Sequence, residues 1–240
     1  IATGARAFAP PVKGLEPEDA FLMRTVEDAL RFKERLKKND IKHAVVIGAS
    51  MAGIKVVEVL HKYGIETWLL DLASYIFPLA AYKEVAKEIE KRVEAQGVHL
   101  MFGVTIDHME QENGEKTAVL TDGSRIPADI VGLCIGTRAI TDTVQGEVEI
   151  GRGIVVDDHM RTSVPGIYAA GDCCEGNNLE SGQNQIIGLW ANANHQGETA
   201  GINMAGGDMA YKGNILHNIT HFMNMDFIGF GDNRMQGEVL

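Results

Sequence analysis

The run VVIGASMAGIKVVEVL, residues 45–60, constrains this chain more than any other stretch. Three β-branched residues lead into a glycine-studded turn, and a helical pattern follows at once. Gly48, Ser50 and Gly53 occupy the three glycine positions of G-x-G-x-x-G. Alone the pattern is weak, but its strand–turn–helix setting is what a dinucleotide-binding loop requires. Gly48 permits the tight turn, position 50 is where backbone approaches a pyrophosphate, and Gly53 lets helix and strand pack closely. The free N–H groups of the first helical turn, those of Met51 and Ala52, then face the anion with the helix dipole behind them. Serine at 50 is small enough to be tolerated, at the expense of slight crowding against the phosphate.

Asp71 closes the next apolar run, IETWLLD (65–71), and lies 23 residues beyond Gly48. An acid about 20 residues on is expected to grip a ribose 2′-hydroxyl. An ionised carboxylate only accepts hydrogen bonds, so it repels a 2′-phosphate. The following LASY offers no arginine to reverse that preference, which favours NAD over NADP. Two other readings of the loop remain: a glycine turn without a nucleotide, and an adenosyl-binding loop of the methyltransferase kind.

The flanking chain supplies a β-α-β-α-β order, which calls for a parallel sheet with helices on its faces. TVEDALRFKERLKK (25–38) is expected to be a surface helix, with Thr25 and Asp28 as a capping box and Val26, Ala29, Leu30 and Leu36 as its buried stripe. A strand at 44–47, a helix to about Tyr63 ended by Gly64, and a helix at 82–95 with Val85, Ile89 and Val93 inward come next. VHLMFG (98–103) is the third strand. Residues 104–136 alternate in short runs broken by Asn113-Gly114 and Asp122-Gly123, the pattern of an antiparallel meander. The meander returns through ADIVGLCIG, ending at Gly136, as a buried parallel strand. Beyond a charged link (137–150), GIVVDDHMRTSVPGIYAAGD predicts two short strands, and 188–205 a long helix.

A net charge of -11 argues against nucleic acid, whose phosphates such a surface repels. No apolar run reaches the roughly 20 residues that cross a bilayer. IATGARA at the start has neither the basic nor the apolar region of a signal peptide, and an opening at Ile1 suggests a piece of a longer protein. Cys134, Cys173 and Cys174 form no C-x-x-C framework, which fits a reducing, cytoplasmic setting and leaves a redox role open for the last two. His217 and His221 in HNITH have the i, i+4 spacing of a helical metal grip, but the residues between them suit a strand and no metal is expected. Met204, Met209, Met223, Met225 and Met235 are expected to be packing residues.

With TSVPGIYAAGDCCE (162–175) following the meander, the chain resembles the FAD-dependent pyridine nucleotide-disulfide oxidoreductase superfamily. Its nearest branch holds NADH oxidases, rubredoxin and ferredoxin reductases, CoA-disulfide reductases and the flavin part of nitrite reductases. Ala2-Thr3-Gly4 match one family signature, MRTVEDA the entry helix, Ile167–Asp172 a second signature, and residues 188–207 the long helix aimed at the flavin. The resemblance implies an α/β fold: a Rossmann-like NAD domain, parallel sheet plus meander, inserted in a partial FAD-binding domain. The implied division is 1–22 as the end of a first FAD segment, 23–136 as the NAD(H) domain, 137–210 as a second FAD segment, and 211–240 as the start of an interface domain.

By this likeness Thr3, Gly4, Arg24, Gly136, Gly171, Asp172 and Trp190 join the loop residues and Asp71 as cofactor contacts. Asp172 would accept from a ribityl hydroxyl, and the helix start at 188–190 would stabilise charge on reduced flavin. No catalytic acid or base is assigned. The family's glutamate two residues past its third glycine is Lys55 here, which puts nicotinamide placement in question. The expected function is hydride transfer from NADH to FAD and onward to an unidentified small-molecule or protein acceptor, possible homodimer included. A non-catalytic NAD(H)-binding or redox-sensing module is the alternative. The 240 residues alone are expected to bind NAD and to hold FAD weakly.

Overall fold

In the computed structural model, which describes residues 1–144 and 146–231, the elements in order begin β1 (Ala5–Ala7), β2 (Ala20–Leu22), α1 (Val26–Leu36), β3 (His43–Ile47) and α2 (Met51–Lys62). They continue β4 (Glu66–Asp71), α3 (Lys83–Glu94), β5 (His99–Phe102), β6 (Ile106–Glu112), β7 (Glu115–Leu120), β8 (Arg125–Pro127) and β9 (Ile130–Leu133). The remainder is β10 (Thr137–Ala139), β11 (Gly176–Asn177), β12 (Asn184–Gln185), α4 (Trp190–Met204), β13 (His217–Phe222) and β14 (Met225–Phe230). Met235 lies outside the described residues.

Two compact units are present. One comprises Ala7–Gly136 together with Asn218–Gly229; among the described residues the other comprises Ile1–Arg6, Thr137–His217 and residues 230–231. This division differs from the one expected at residues 22 and 211. Segment 7–22 stays with the first unit because Ala20–Leu22 pairs in parallel with Val131–Leu133 inside its sheet.

The first unit is built on a parallel sheet in the order β2-β9-β3-β4-β5. Strand alternation divides its side chains between two cores. Ala44, Val46 and Leu69 face α1, α2 and α3, with Val57, Leu60, Ile89 and Val93 opposite. Val45, Ile47, Leu70, Val131 and Leu133 face the antiparallel meander β6-β7-β8, which offers Met109, Leu120 and Ile126. Asn113 and Gly114 both have positive φ, as a two-residue hairpin turn demands.

Thr25 and Asp28 form the expected capping box on α1. The buried stripe differs: Phe32 and Leu36 point inward while Val26 is 70% and Leu30 54% exposed, and Ala29 is exposed as well. Phe32 sets this rotation, because its ring packs on Phe21 of β2 at 5.4 Å. On α3, Ala86 replaces Val85 beside Ile89 and Val93.

The second unit pairs β1 with β10 and β11 with β12, carries the long helix α4, and is otherwise largely irregular. The two strands expected within 153–172 are only isolated bridges, Ile154 to Cys174 and Arg161 to Tyr168. Its apolar core comprises Ile154, Val156, Met160, Ala169, Cys173, Cys174, Ala200 and Tyr211, among others. Helix α4 buries a polar stripe, Asn192, Gln196, Thr199 and Asn203. Each makes bonds inside: the Asn192 Nδ2 donates to the Ile187 carbonyl, and its Oδ1 accepts from the Tyr211 hydroxyl. Among the described residues no helix is long and apolar enough to cross a membrane.

Candidate functional site

The turn after β3 is shaped by backbone crowding. At Gly48, where φ is +105°, a Cβ would collide with the carbonyl of Cys134; at Gly53 it would collide with the carbonyl of Gly48. Only glycine allows α2 to begin this close to the strands. Ser50 is the N-cap of α2. Its Oγ accepts from the Gly53 N–H (3.2 Å) and donates to the Cys134 carbonyl (2.9 Å). The expected crowding of a phosphate therefore gives way to a capping role: the hydroxyl is turned into the protein. The N–H groups of Met51 and Ala52 find no acceptor among the described residues, which leaves two orphan donors at the positive end of a twelve-residue helix.

Asp71 lies at the carboxyl end of β4, beside this turn. Its Oδ2 accepts from the Ala49 N–H (2.7 Å) and its Oδ1 from the Ala73 N–H (2.8 Å). A carboxylate offers about four acceptor sites, so two remain for hydroxyl donors. Ala49, Ala73 and the Cys134 carbonyl were not identifiable from spacing, because main-chain groups carry no side-chain signature.

Gly136 ends the run after β9 with φ +101°, and its carbonyl accepts from the Phe8 N–H. Arg24 is exposed, and its N–H donates to Asp28 Oδ2 (3.0 Å) at the α1 cap. Lys55 turns onto the protein: its Nζ donates to Glu58 Oε2 (2.5 Å) and to the His221 carbonyl (2.7 Å). A cavity of about 390 Å3, bounded by Trp68, Glu94, His99 and Met101, lies at the amino end of β5, whereas the glycine turn follows the carboxyl end of β3.

In the second unit the other expected residues form a loop cluster. Thr3 Oγ1 donates to the Ile140 carbonyl (2.5 Å), and the Gly4 carbonyl accepts from the Ile140 N–H (2.9 Å). Gly171 has φ +84° and donates its N–H to Gln196 Oε1 (2.8 Å); it sits in a loop, not at a strand end. Asp172 is half-buried, with Oδ2 about 4.0 Å from where a Cβ on Gly188 would lie. No side chain caps α4, and Trp190, its first residue, is 84% exposed. Gln196 Nε2 and Asn178 Nδ2 are buried without a partner among the described residues.

Cys173 and Cys174 are buried and not bonded to each other. The neighbouring Cys174 draws the Cys173 thiol below its ordinary range against the opposing effect of burial, aided by backbone N–H groups of Gly4 and Thr3, while Cys174 itself is pushed up. Burial pushes Cys134 up to about 12. His217 and His221 lie on strand β13, as the residues between them suggested. His217 Nδ1 meets the Ile215 carbonyl and His221 Nδ1 meets Asp226, so the two do not converge. Asp157, Asp158 and His159 do bring ligand-type atoms together, on a turn where His159 is already paired with Asp158. Met223 is buried and Met225 and Met209 half-buried, but Met204 is 64% exposed, contrary to its expected packing role.

The sequence profile described as pyridine nucleotide-disulphide oxidoreductase matches residues 1–197. An NADH oxidase of Methanocaldococcus jannaschii is 29% identical over 208 residues, 86% of this chain and 46% of that protein. The structure of an NAD-dependent persulfide reductase from A. fulgidus superposes with a TM-score of 0.90 at 29% identity, covering 97% of this chain and 43% of that one. A water-forming NADH oxidase from Lactobacillus brevis, bound to NADH, also gives 0.90, at 26% identity over 96% of this chain and 51% of its own. The chain thus spans about half the length of these relatives.

Proposed function

The chain belongs to the pyridine nucleotide-disulphide oxidoreductase family, and from that premise we propose that it serves an oxidoreductase that takes hydride from NADH onto FAD and passes electrons to an acceptor. One observation carries the NADH half: two unpaired N–H donors, on Met51 and Ala52, open beside a carboxylate, Asp71, that keeps two acceptor sites. The amides hold the pyrophosphate without a cation, and Gly53 lets the helix start close enough to the strands to present them. Asp71 accepts the ribose hydroxyls, and its charge disfavours a 2′-phosphate. The relatives' names, two NADH oxidases and an NAD-dependent reductase, support the same choice of nucleotide.

The second unit supports FAD. A left-handed glycine at 171, a half-buried Asp172 and an uncapped helix start at Trp190 suit a polar ligand brought close to backbone. There Asp172 accepts from a ribityl hydroxyl, and the first turn of α4 favours negative charge. Bound FAD supplies the two-electron chemistry that side chains lack. Thr3, Gly4, Arg24, Gly136 and Trp190 remain proposed contacts. The acceptor is a small molecule or a redox protein, and a homodimer is proposed with it.

Calorimetric titration tests the central part. NADH is expected to bind, with NADPH at least about tenfold weaker, a difference of about 1.4 kcal/mol. No heat with either nucleotide on folded protein overturns the proposal. On the FAD-loaded protein, bleaching of the yellow colour by NADH with turnover on a dye distinguishes an enzyme from a module that only binds.

A further inference from the structure

The hairpin tip Asn218–Gly229 belongs to the same compact unit as the glycine turn; it begins 85 residues after Leu133, where the last strand of that sheet ends, yet is packed into the unit's helix-side core. Phe222, Met223 and Phe227 are buried there. The Phe77 ring meets Phe222 edge-on at 5.4 Å and Phe227 at 5.1 Å. Gly229 lies so near the Ala80 carbonyl that no side chain would fit between them.

Polar contacts fasten the same tip. Glu58, only 7% exposed, accepts from Lys55 Nζ (2.5 Å), Lys62 Nζ (3.1 Å) and the Met223 N–H (3.2 Å). Lys55 Nζ also donates to the His221 carbonyl (2.7 Å), and Gln96 Nε2 donates to the Met223 carbonyl (3.3 Å).

Phe77 is the residue through which this packing reaches the nucleotide loop. Its N–H donates to the carbonyl of Ala49 (2.9 Å), the loop residue whose own N–H holds Asp71. Its φ is +55°, a left-handed conformation that a bulky side chain adopts only where its surroundings hold it. Residues 72–81 are therefore fixed at one end by Asp71, through Ala73, and in the middle by the aromatic contacts with the hairpin.

We propose that the Asn218–Gly229 hairpin, seated on Phe77 and fastened by Glu58 and Lys55, is a positioning element that holds Asp71 and the glycine turn in the geometry that selects NADH. The inference rests on the NADH site proposed above. Phe77, Phe222, Glu58 and Lys55 act through Asp71 and Ala49, not by touching the nucleotide. Lys55, which departs from the family's usual glutamate, thereby gains a role: it fastens the strap.

The test measures NADH and NADPH affinity together with the thermal midpoint, for Phe222→Ala, Lys55→Ala, Asp71→Ala and a control, Leu120→Ala, in the meander core. Phe222→Ala is expected to weaken NADH about tenfold and to narrow the NADH-over-NADPH preference, with Phe222→Leu restoring most of both. Lys55→Ala is expected to weaken NADH about threefold and, because it takes a partner from the buried Glu58 carboxylate, to lower the midpoint by no more than Leu120→Ala does; it decides the matter if Phe222→Ala does not fold. Leu120→Ala is expected to lower the midpoint and leave affinity and preference alone.

If Phe222→Ala and Lys55→Ala bind both nucleotides as the parent does, the positioning role is overturned while the NADH site stands, provided Asp71→Ala still loses NADH. If the parent binds no NADH, or Asp71→Ala binds it undiminished, the site proposal fails and this inference fails with it.

Discussion

At the scale of single residues, Glu58 shows how a charge can be buried in helix α2. Burial would push its carboxyl up, but hydrogen bonds from Lys55, Lys62 and the Met223 N–H outweigh that and hold it down, from 4.5 to about 2. A depressed carboxyl stabilises the fold fully above about pH 4.5, and the contribution is lost as pH falls through about 2. Glu58→Gln is therefore expected to lower stability by roughly 2–3 kcal/mol at pH 7, taking 1.36 kcal/mol per pKa unit as an upper scale. The gap between the variant and the parent should shrink as pH falls toward 3. Urea denaturation at pH 7 and pH 3.5 checks this, and an equal gap at both would show that packing, not charge, sets the cost. The sequence marked Gly48, Gly53 and Asp71 because glycine and carboxylate chemistry leave a spacing signature. It did not show that the Ser50 hydroxyl turns inward to Cys134, 84 residues away, a contact that no local pattern encodes.

At the scale of elements, local signals were legible and orientation was not. The capping box at Thr25 and Asp28 and the Asn113-Gly114 turn follow from neighbours a few residues apart, and both are present. Which stripe of α1 faces inward depends on Phe21, which lies outside the helix, so a plausible apolar stripe through Val26 and Leu30 was the wrong one. Helix α4 is the sharper case, since its buried stripe is Asn192, Gln196, Thr199 and Asn203, and hydrophobic periodicity cannot locate a polar interior. On α1 the two sides can be told apart by substitution. Leu30→Lys is expected to change stability by no more than about 0.5 kcal/mol, as on any open surface. Phe32→Ala is expected to cost about 3–5 kcal/mol through the lost ring and the cavity beside Phe21. Thermal or urea unfolding of the two variants decides it, and a large loss for Leu30→Lys would mean that this face is covered in solution.

At the scale of the whole molecule, the division into two units makes a prediction about where nucleotide binding is felt. The sheet, the glycine turn, Asp71 and the hairpin tip share one unit, whereas Gly171, Asp172 and α4 lie in the other. A ligand that binds only the folded form stabilises what must be folded to bind it, by about 2.7 kcal/mol at a hundredfold excess over its Kd. With NADH at that excess, hydrogen exchange at core amides such as Val46, Leu69 and Ile130 should slow by up to about a hundredfold, the equivalent of that energy. Amides of the hairpin, Phe222 and Phe227 among them, should slow with them, because the strap and the nucleotide loop share one compact unit and one core. Amides around Ile154, Ala169 and Ala200 should change little if their unit opens independently. Exchange measured with and without NADH separates the cases. Equal slowing in both units would mean that they unfold together, and slowing that spares the hairpin would detach it from the nucleotide site, even though the two share a core.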